Sequence, residues 1–320
     1  MRDLGARGGG LPRQRVPARG AEPAGAGHLA AGLARRRLNL FGRRPDADLV
    51  RDAPALRRIL PHVSPRRNDS LFYLPNDVEV EAALEFLEKH NRTRPPDRPA
   101  TLFHLLLRAV AQGIALRPRV NRFVKGGRLW QRRGTYITFS AKREISDAAP
   151  MVTIKRGFDP DRETLDDMID GVHALLQPAR RGVESTSDKE TRLLLRLPNA
   201  VTGALVRGAD VLDRFGLLPL AMIEPDPMFS SVFVANLGSV GHEAGFHHLW
   251  ERGTCSAFCV MGRVVPGPAG RRIVSVYWTW DERVEDGLYS FGYTNGVKLR
   301  LESPELLLAS PSELRERADV

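Results

Sequence analysis

The 320 residues suffice for one large domain or two small ones, and an apolar share of 42% suffices for a core. The longest apolar stretch, Leu102 to Leu116, is broken by His104 and Arg108; this excludes a membrane-spanning helix, which needs about 18 uninterrupted apolar residues. No apolar segment follows the basic start as a secretion signal requires, and two cysteines exclude a disulfide scaffold or a four-cysteine zinc site. Such sparse cysteine usage fits a reducing, cytoplasmic location.

The net charge of +10 is unevenly placed. Residues 1–47 hold ten Arg, no Lys and three acids, together with nine Gly and four Pro. The other 273 residues carry 38 basic and 35 acidic side chains and are nearly neutral. The first 47 residues bury too little apolar surface to offset their ordering entropy, and a disordered tail is expected there. Its Arg35-Arg36-Arg37 run suits phosphate or anionic lipid. No basic field covers the rest, so nucleic-acid contact is expected only through the tail. No membrane partner is expected.

Leu49 to Leu60 spaces Leu49, Val50, Ala53, Leu56 and Ile59 as a short helix. Ser70 to Val80 predicts a strand, confined by Pro75 to an edge or a bulge. Glu81 to Lys89 continues as an amphipathic helix, and Asn91 to Pro99 is a loop. Thr101 caps a long helix, Leu102 to Leu116, which Pro118 ends. Short β pieces follow at Arg122 to Val124, Arg128 to Gln131 and Thr135 to Ala141, with a hairpin turn at Gly126-Gly127. Met151 to Lys155 predicts a strand and Asp161 to Leu176 a helix. A polar loop and two helical stretches divided near Pro198 come next. Ser230 to Leu237, Thr254 to Arg263 and Arg272 to Trp280 are strands rich in Val, Phe, Tyr and Trp. Gly287 to Leu301 and Ser303 to Leu308 close the chain as helices. Without a strict βαβ repeat, this order predicts an α/β fold with a mixed sheet covered by helices.

Several chemistries are absent from the pattern. There is no phosphate-cradling Gly-Lys-Ser/Thr loop, no G-x-G-x-x-G after a strand and no Gly-x-Ser-x-Gly elbow. Cys255 and Cys259 share one face of a strand about 13 Å apart, too far to bridge, and are expected as core thiols. His247 and His248 open a His-His-x-x-x-Asp-Gly-like box, but Arg252 occupies the Asp position. No metal site is expected.

Trp280 to Leu308 reads WDERVEDGLYSFGYTNGVKLRLESPELLL. It resembles the end of the catalytic core of the dihydrolipoamide acyltransferases of 2-oxo-acid dehydrogenase complexes, a superfamily that includes chloramphenicol acetyltransferase. That family ends on Asp-His-Arg-Val-x-Asp-Gly, an amphipathic helix and a Leu-Glu-x-Pro-Glu-Leu-Leu-Leu tail. Phe233 to Gly238 (FVANLG) resembles its F-x-x-S-N-L-G. Phe103 to Asn121 resembles its long helix, and Met151 to Lys155 with the following helix resembles its V-P-V-I-K unit. The likeness runs from about residue 58 to 310. It implies a chloramphenicol-acetyltransferase-like two-layer sandwich over residues 48–320, with a helical insert at about 185–229. The apolar surplus of that insert is expected to serve subunit contacts or to cover a channel.

The resemblance also implies a site. Glu282 stands where the family has the His that takes the thiol proton, and Ala235 where it has the Ser that steadies the oxyanion. Asp286 and Gly287 retain the family's residues and fix local geometry, and Asn236 and Gly238 belong to the turn on the substrate side. Glu282 serves as a base only if burial raises it towards a thiol, helped by the like charge of Glu285. His242, in the loop after Gly238, is the candidate for a displaced base. CoA or acyl-CoA is the implied substrate, and the implied assembly is a homotrimer, extendable to a larger shell of trimers. No lipoyl attachment domain is visible. Two readings stay open: a divergent CoA-dependent acyltransferase, and a catalytically inactive trimeric scaffold or cage.

Overall fold

The computed structural model describes residues 43–142, 151–180 and 192–316. The described chain starts inside the fold. Arg44 is buried and ion-paired with Asp46 at 2.9 Å and Asp213 at 2.8 Å. Residues 43–47 therefore belong to the folded part, because a buried guanidinium is retained only where carboxylates meet it. The rest of the expected disordered tail, residues 1–42, lies outside the described residues, as does the start of the expected insert up to residue 191.

Strand β1 (Ala47–Leu49) takes the start of the expected first helix, and α1 (Ala55–Val63) follows it. Leu49 is opposite Trp130, so strand pairing overrides its helical spacing. Next come β2 (Leu71–Glu79), α2 (Glu81–Asn91) and α3 (Leu102–Leu116). The start of α3 is closed by Thr101, whose backbone N–H donates to Nδ1 of His104 at 3.1 Å. Strands β3 (Arg122–Lys125) and β4 (Arg128–Arg132) form the expected hairpin. Gly126 and Gly127 both take positive φ, 60° and 70°, as its two-residue turn demands. Strands β5 (Thr135–Lys142) and β6 (Met151–Phe158) precede α4 (Leu165–Arg180). Then come α5 (Asn199–Arg214), α6 (Leu220–Ile223), β7 (Val232–Asn236), β8 (Ala257–Pro266) and β9 (Arg272–Asp281). Helices α7 (Gly287–Glu302) and α8 (Pro311–Glu316) end the described chain.

The main sheet has six strands in the order β2-β9-β8-β7-β5-β6 and is mixed, with β7 parallel to β5 and β8. Strand β2 lies at its edge, where Pro75 costs no internal ladder bond. A separate three-stranded sheet, β1-β4-β3, is a feature the sequence pattern did not reveal.

Alternation along the strands sorts side chains between two faces. Val232 and Val234 of β7, Cys259 of β8, and Trp278 and Trp280 of β9 join the core under α3, α4 and α7. Phe233, Phe258 and Val260 point the other way, onto Leu249 and Trp250 of the coil between β7 and β8. Helices thus cover one face and coil covers the other. Both cysteines are buried, and burial raises the Cys259 thiol well above its ordinary value.

Candidate functional site

The C-terminal end of β9 is anchored by a buried ion cluster. Asp281 accepts from Arg283 at 2.8 and 2.7 Å, and Nε of Arg67 lies 3.5 Å from its second oxygen. Arg283 also donates to the carbonyls of Ser64 and Pro65 at 3.2 and 2.8 Å. The turn carrying Glu282 is therefore rigid at both neighbours. The backbone N–H of Glu282 donates to the Ser70 carbonyl at 2.8 Å, and Arg57 of α1 donates to its carbonyl.

The side chain of Glu282 is exposed, and among the described residues nothing bonds its carboxylate. The burial that a base at this position requires is not supplied by the described residues of one chain. The buried carboxylate is Glu285, and Arg119 at 3.3 Å and Arg122 at 3.6 Å neutralise it. Its like charge is spent on those two Arg rather than on Glu282. Asp286 caps α7, accepting from the Tyr289 backbone N–H at 2.8 Å. That bond holds its pKa below the usual carboxylate value, with burial opposing and Arg57 assisting. Asp286 thus acts as a helix cap, with Gly287 as the first residue of α7.

The second group of expected residues lies at the other end of the sheet. Ala235 is opposite Val260, and Val260 is opposite Tyr277. Glu282 lies five residues beyond Tyr277, so it is offset by ~16 Å along the sheet and by two strand spacings across it. Ala235 faces the coil-covered side, and Asn236 closes the turn after β7 by accepting from the Ser239 N–H at 3.1 Å. Gly238 is required there, because a Cβ would sit 2.4 Å from the Gly262 carbonyl oxygen. His242 is exposed on the same turn, its backbone N–H donating to the Leu237 carbonyl at 3.1 Å. One chain therefore brings together Ala235, Asn236, Gly238 and His242, and separately Glu282, Asp286 and Gly287.

Each group borders a cleft. Asn236 and Gly238 line one of about 450 Å³ that also receives His104 of α3 and His173 of α4. The two imidazoles lie 4.9 Å apart, and Nε2 of His173 donates to the Pro99 carbonyl at 2.9 Å. Sequence reasoning passed over this pair, since 69 residues separate its members and no motif joins them. The larger cleft, about 810 Å³, opens beside Arg283 and is cationic, with Arg66, Arg67, Lys125, Arg207, Arg214 and Arg252 in its walls. Lys125 is held by Asp210 at 2.6 Å and Arg252 by Asp226 at 2.8 Å. Arg66 and Arg207 have no carboxylate partner among the described residues. Their free charge suits phosphate groups.

His247 is packed rather than poised, and His248 is exposed beside it. His247 stacks on Phe258 with centroids 4.2 Å apart. Among the described residues no three His, Cys, Asp or Glu gather as a metal site, and no helix is long and apolar enough to cross a membrane.

No protein-family model matches this sequence, and no curated protein matches it. Solved structures do match. A probable dihydrolipoamide acetyltransferase from Listeria monocytogenes superposes with a TM-score of 0.53 at 14% identity, over 80% of this chain and 95% of its own. The dihydrolipoamide acetyltransferase of Azotobacter vinelandii gives 0.55 at 13% identity, over 82% and 95%. The cubic core of a pyruvate dehydrogenase multienzyme complex gives 0.54 at 12% identity, over 82% and 95%. The chain thus has the fold of dihydrolipoamide acyltransferase cores, the chloramphenicol-acetyltransferase-like sandwich expected from its sequence.

Proposed function

We propose that this acyltransferase-fold chain is a divergent CoA-dependent acyltransferase, working as a homotrimer with its reactive centre between subunits. The observation that carries the reading is the cationic cleft beside the Glu282 turn, where Arg66 and Arg207, without a carboxylate partner among the described residues, offer charge to a phosphate-bearing donor. The separation of Glu282 from the Ala235–Gly238 turn supports the assembly, since one acyl group reaches both only if they come from different subunits. The elements that flank Glu282 support it too. Helix α1 exposes Leu56 and Val63 at 70% and 72%, and α7 exposes Leu288 at 82%. These are contact surfaces in search of a neighbour. Larger shells of such trimers are compatible with this surface.

In this reading the neighbouring subunit closes over Glu282, and only in that buried setting does its carboxylate accept the proton of the acceptor thiol as the thiol sulfur bonds to the acyl carbon. The proton returns to the departing CoA sulfur as the thioester bond breaks. Ala235 offers no side-chain donor, so any stabilisation of the oxyanion comes from backbone N–H groups of the same turn.

A second reading, a catalytically inactive scaffold of the same fold, is favoured by one observation: the carboxylate of Glu282 has no orienting partner among the described residues. Calorimetric titration with CoA and acetyl-CoA separates the two. Saturable micromolar binding, retained in Glu282→Gln while acyl transfer falls by about 10²–10⁴, is the expected result. No binding at millimolar ligand overturns the acyltransferase reading and leaves the scaffold.

A further inference from the structure

The cationic cleft continues past His62 into a second cavity. Helix α1 turns Ala55, Arg58, Ile59 and His62, spaced i, i+3, i+4 and i+7, towards β1 and β4. Between them lies a groove of about 620 Å³, the size of a small-molecule site. Its floor is apolar, made by Leu49 and Val50 at the end of β1, Ile59 of α1 and Leu129 of β4. The Val50 N–H donates to the Leu129 carbonyl at 3.0 Å, which fixes that floor. His62 and Gly127 line both cavities. The imidazole packs on the hairpin turn at Gly127, where a Cβ would stand 3.1 Å from its Cε1. Leu56 and Val63, the contact residues of α1, lie about a quarter-turn round the helix from this groove.

The charge in the groove is one-sided. Arg51, Arg58 and Arg128 line it without an acidic residue, and none of their guanidiniums has a carboxylate partner among the described residues. Elsewhere Arg44, Arg67, Arg94, Arg156 and Arg283 each meet a carboxylate. Three guanidiniums round one cavity repel one another, and an anion bound among them relieves that repulsion. Arg66 and Arg207 stand in the same condition in the adjoining cleft. The two cavities therefore offer two anion subsites on either side of His62 and Gly127, with an apolar floor in the second. Guanidinium forks match phosphate oxygens in pairs. The pattern matches the nucleotide end of CoA, in which an adenosine carries a diphosphate at one ribose oxygen and a single phosphate at another.

We infer that the groove between α1 and the β1–β4 pair takes the adenosine and 3′-phosphate of the acyl donor, with Arg51, Arg58 and Arg128 on the phosphate and the apolar floor beneath the base. The diphosphate then lies at Arg66 and Arg207, and the pantetheine arm runs on past Arg283 towards the Glu282 turn. The inference rests on the acyltransferase reading and adds a selectivity to it: the chain distinguishes CoA from the same thiol without its 3′-phosphate.

Calorimetric titration of the full chain with CoA and with 3′-dephospho-CoA tests it. The parent should bind CoA at least about tenfold more tightly, the worth of one charge-assisted contact. The double variant Arg58→Gln, Arg128→Gln, at exposed positions, should bind the two ligands equally, at the parent's affinity for 3′-dephospho-CoA. Arg66→Gln should weaken both alike and keep their ratio. A ratio read on one protein separates loss of the subsite from loss of folded chain, and the thermal transition of each variant checks the latter. Equal affinity of the parent for the two ligands overturns the inference and leaves the acyltransferase reading standing. A preference that survives in the double variant does the same. No binding of either ligand at millimolar concentration overturns both together.

Discussion

Lys155 donates to the carbonyls of Ile223 and Asp226 at 2.8 and 3.2 Å, tying β6 to the segment that leads into β7. Burial, with a smaller contribution from the like charge of Arg132, lowers its pKa to about 8. An unfolded Lys titrates near 10.4. Between these values the unfolded chain keeps a proton that the folded chain releases, so stability rises with pH across that window. Below pH 8 both states are charged and the burial cost is fully expressed. The urea midpoint of the native chain should therefore climb from pH 8 to about 10.4, and Lys155→Met should flatten that climb; an unchanged slope in the variant would count against it. Asp281 is a buried carboxylate closed between Arg67 and Arg283. The motif around Glu282 was readable from Asp281, Arg283 and Gly287 in the sequence. Which carboxylate is buried was not, because Arg119 and Arg122 come to Glu285 from more than 160 residues away.

At the scale of elements, the turn after β7 is set by close approach rather than by its polar residues. Gly238 lies against Gly262, and Gly262 in turn would place a Cβ 2.5 Å from the Ala244 nitrogen. Gly238→Ala must push β7 and β8 apart, and it is expected to lower stability by about 1–3 kcal/mol. Urea denaturation reads this, and an unchanged midpoint would show that the turn yields freely. Most strands and helices were legible because their apolar spacing is strong, as in α3, where the expected and observed limits coincide at Leu102 and Leu116. The exception is β1. Its three residues are too few to show a period, and it exists through pairing with Trp130, Gln131 and Arg132. Helix α5 was legible as a helix but not in its orientation, since ion pairs, not apolar burial, decide which face turns in.

For the whole molecule, the exposed apolar faces of α1 and of the start of α7 predict association. Light scattering of the full chain should report three times the 35.6 kDa subunit mass or a multiple of it. Leu288→Glu should lower that mass, because a charge placed at an 82% exposed position harms only a face that is covered in the assembly. A monomer at micromolar concentration would remove the proposed site between subunits and with it the acyl-transfer mechanism.

The amino-acid sequence by itself determined most of the elements and their order, the core placement of Cys255 and Cys259 and, through the resemblance that its motifs carry, the two-layer sandwich and the residues expected at the two ends of the site. Each follows from local periodicity or from a contiguous motif, and both survive translation into one dimension. Only the tertiary structure decided that Glu282 is exposed while Glu285 is buried, that Ala235 and Glu282 lie apart in one chain, and that His104 meets His173. It also decided that α5 turns its apolar stripe to the surface. These depend on side chains that converge from distant segments, and such convergence leaves no spacing to read along the chain.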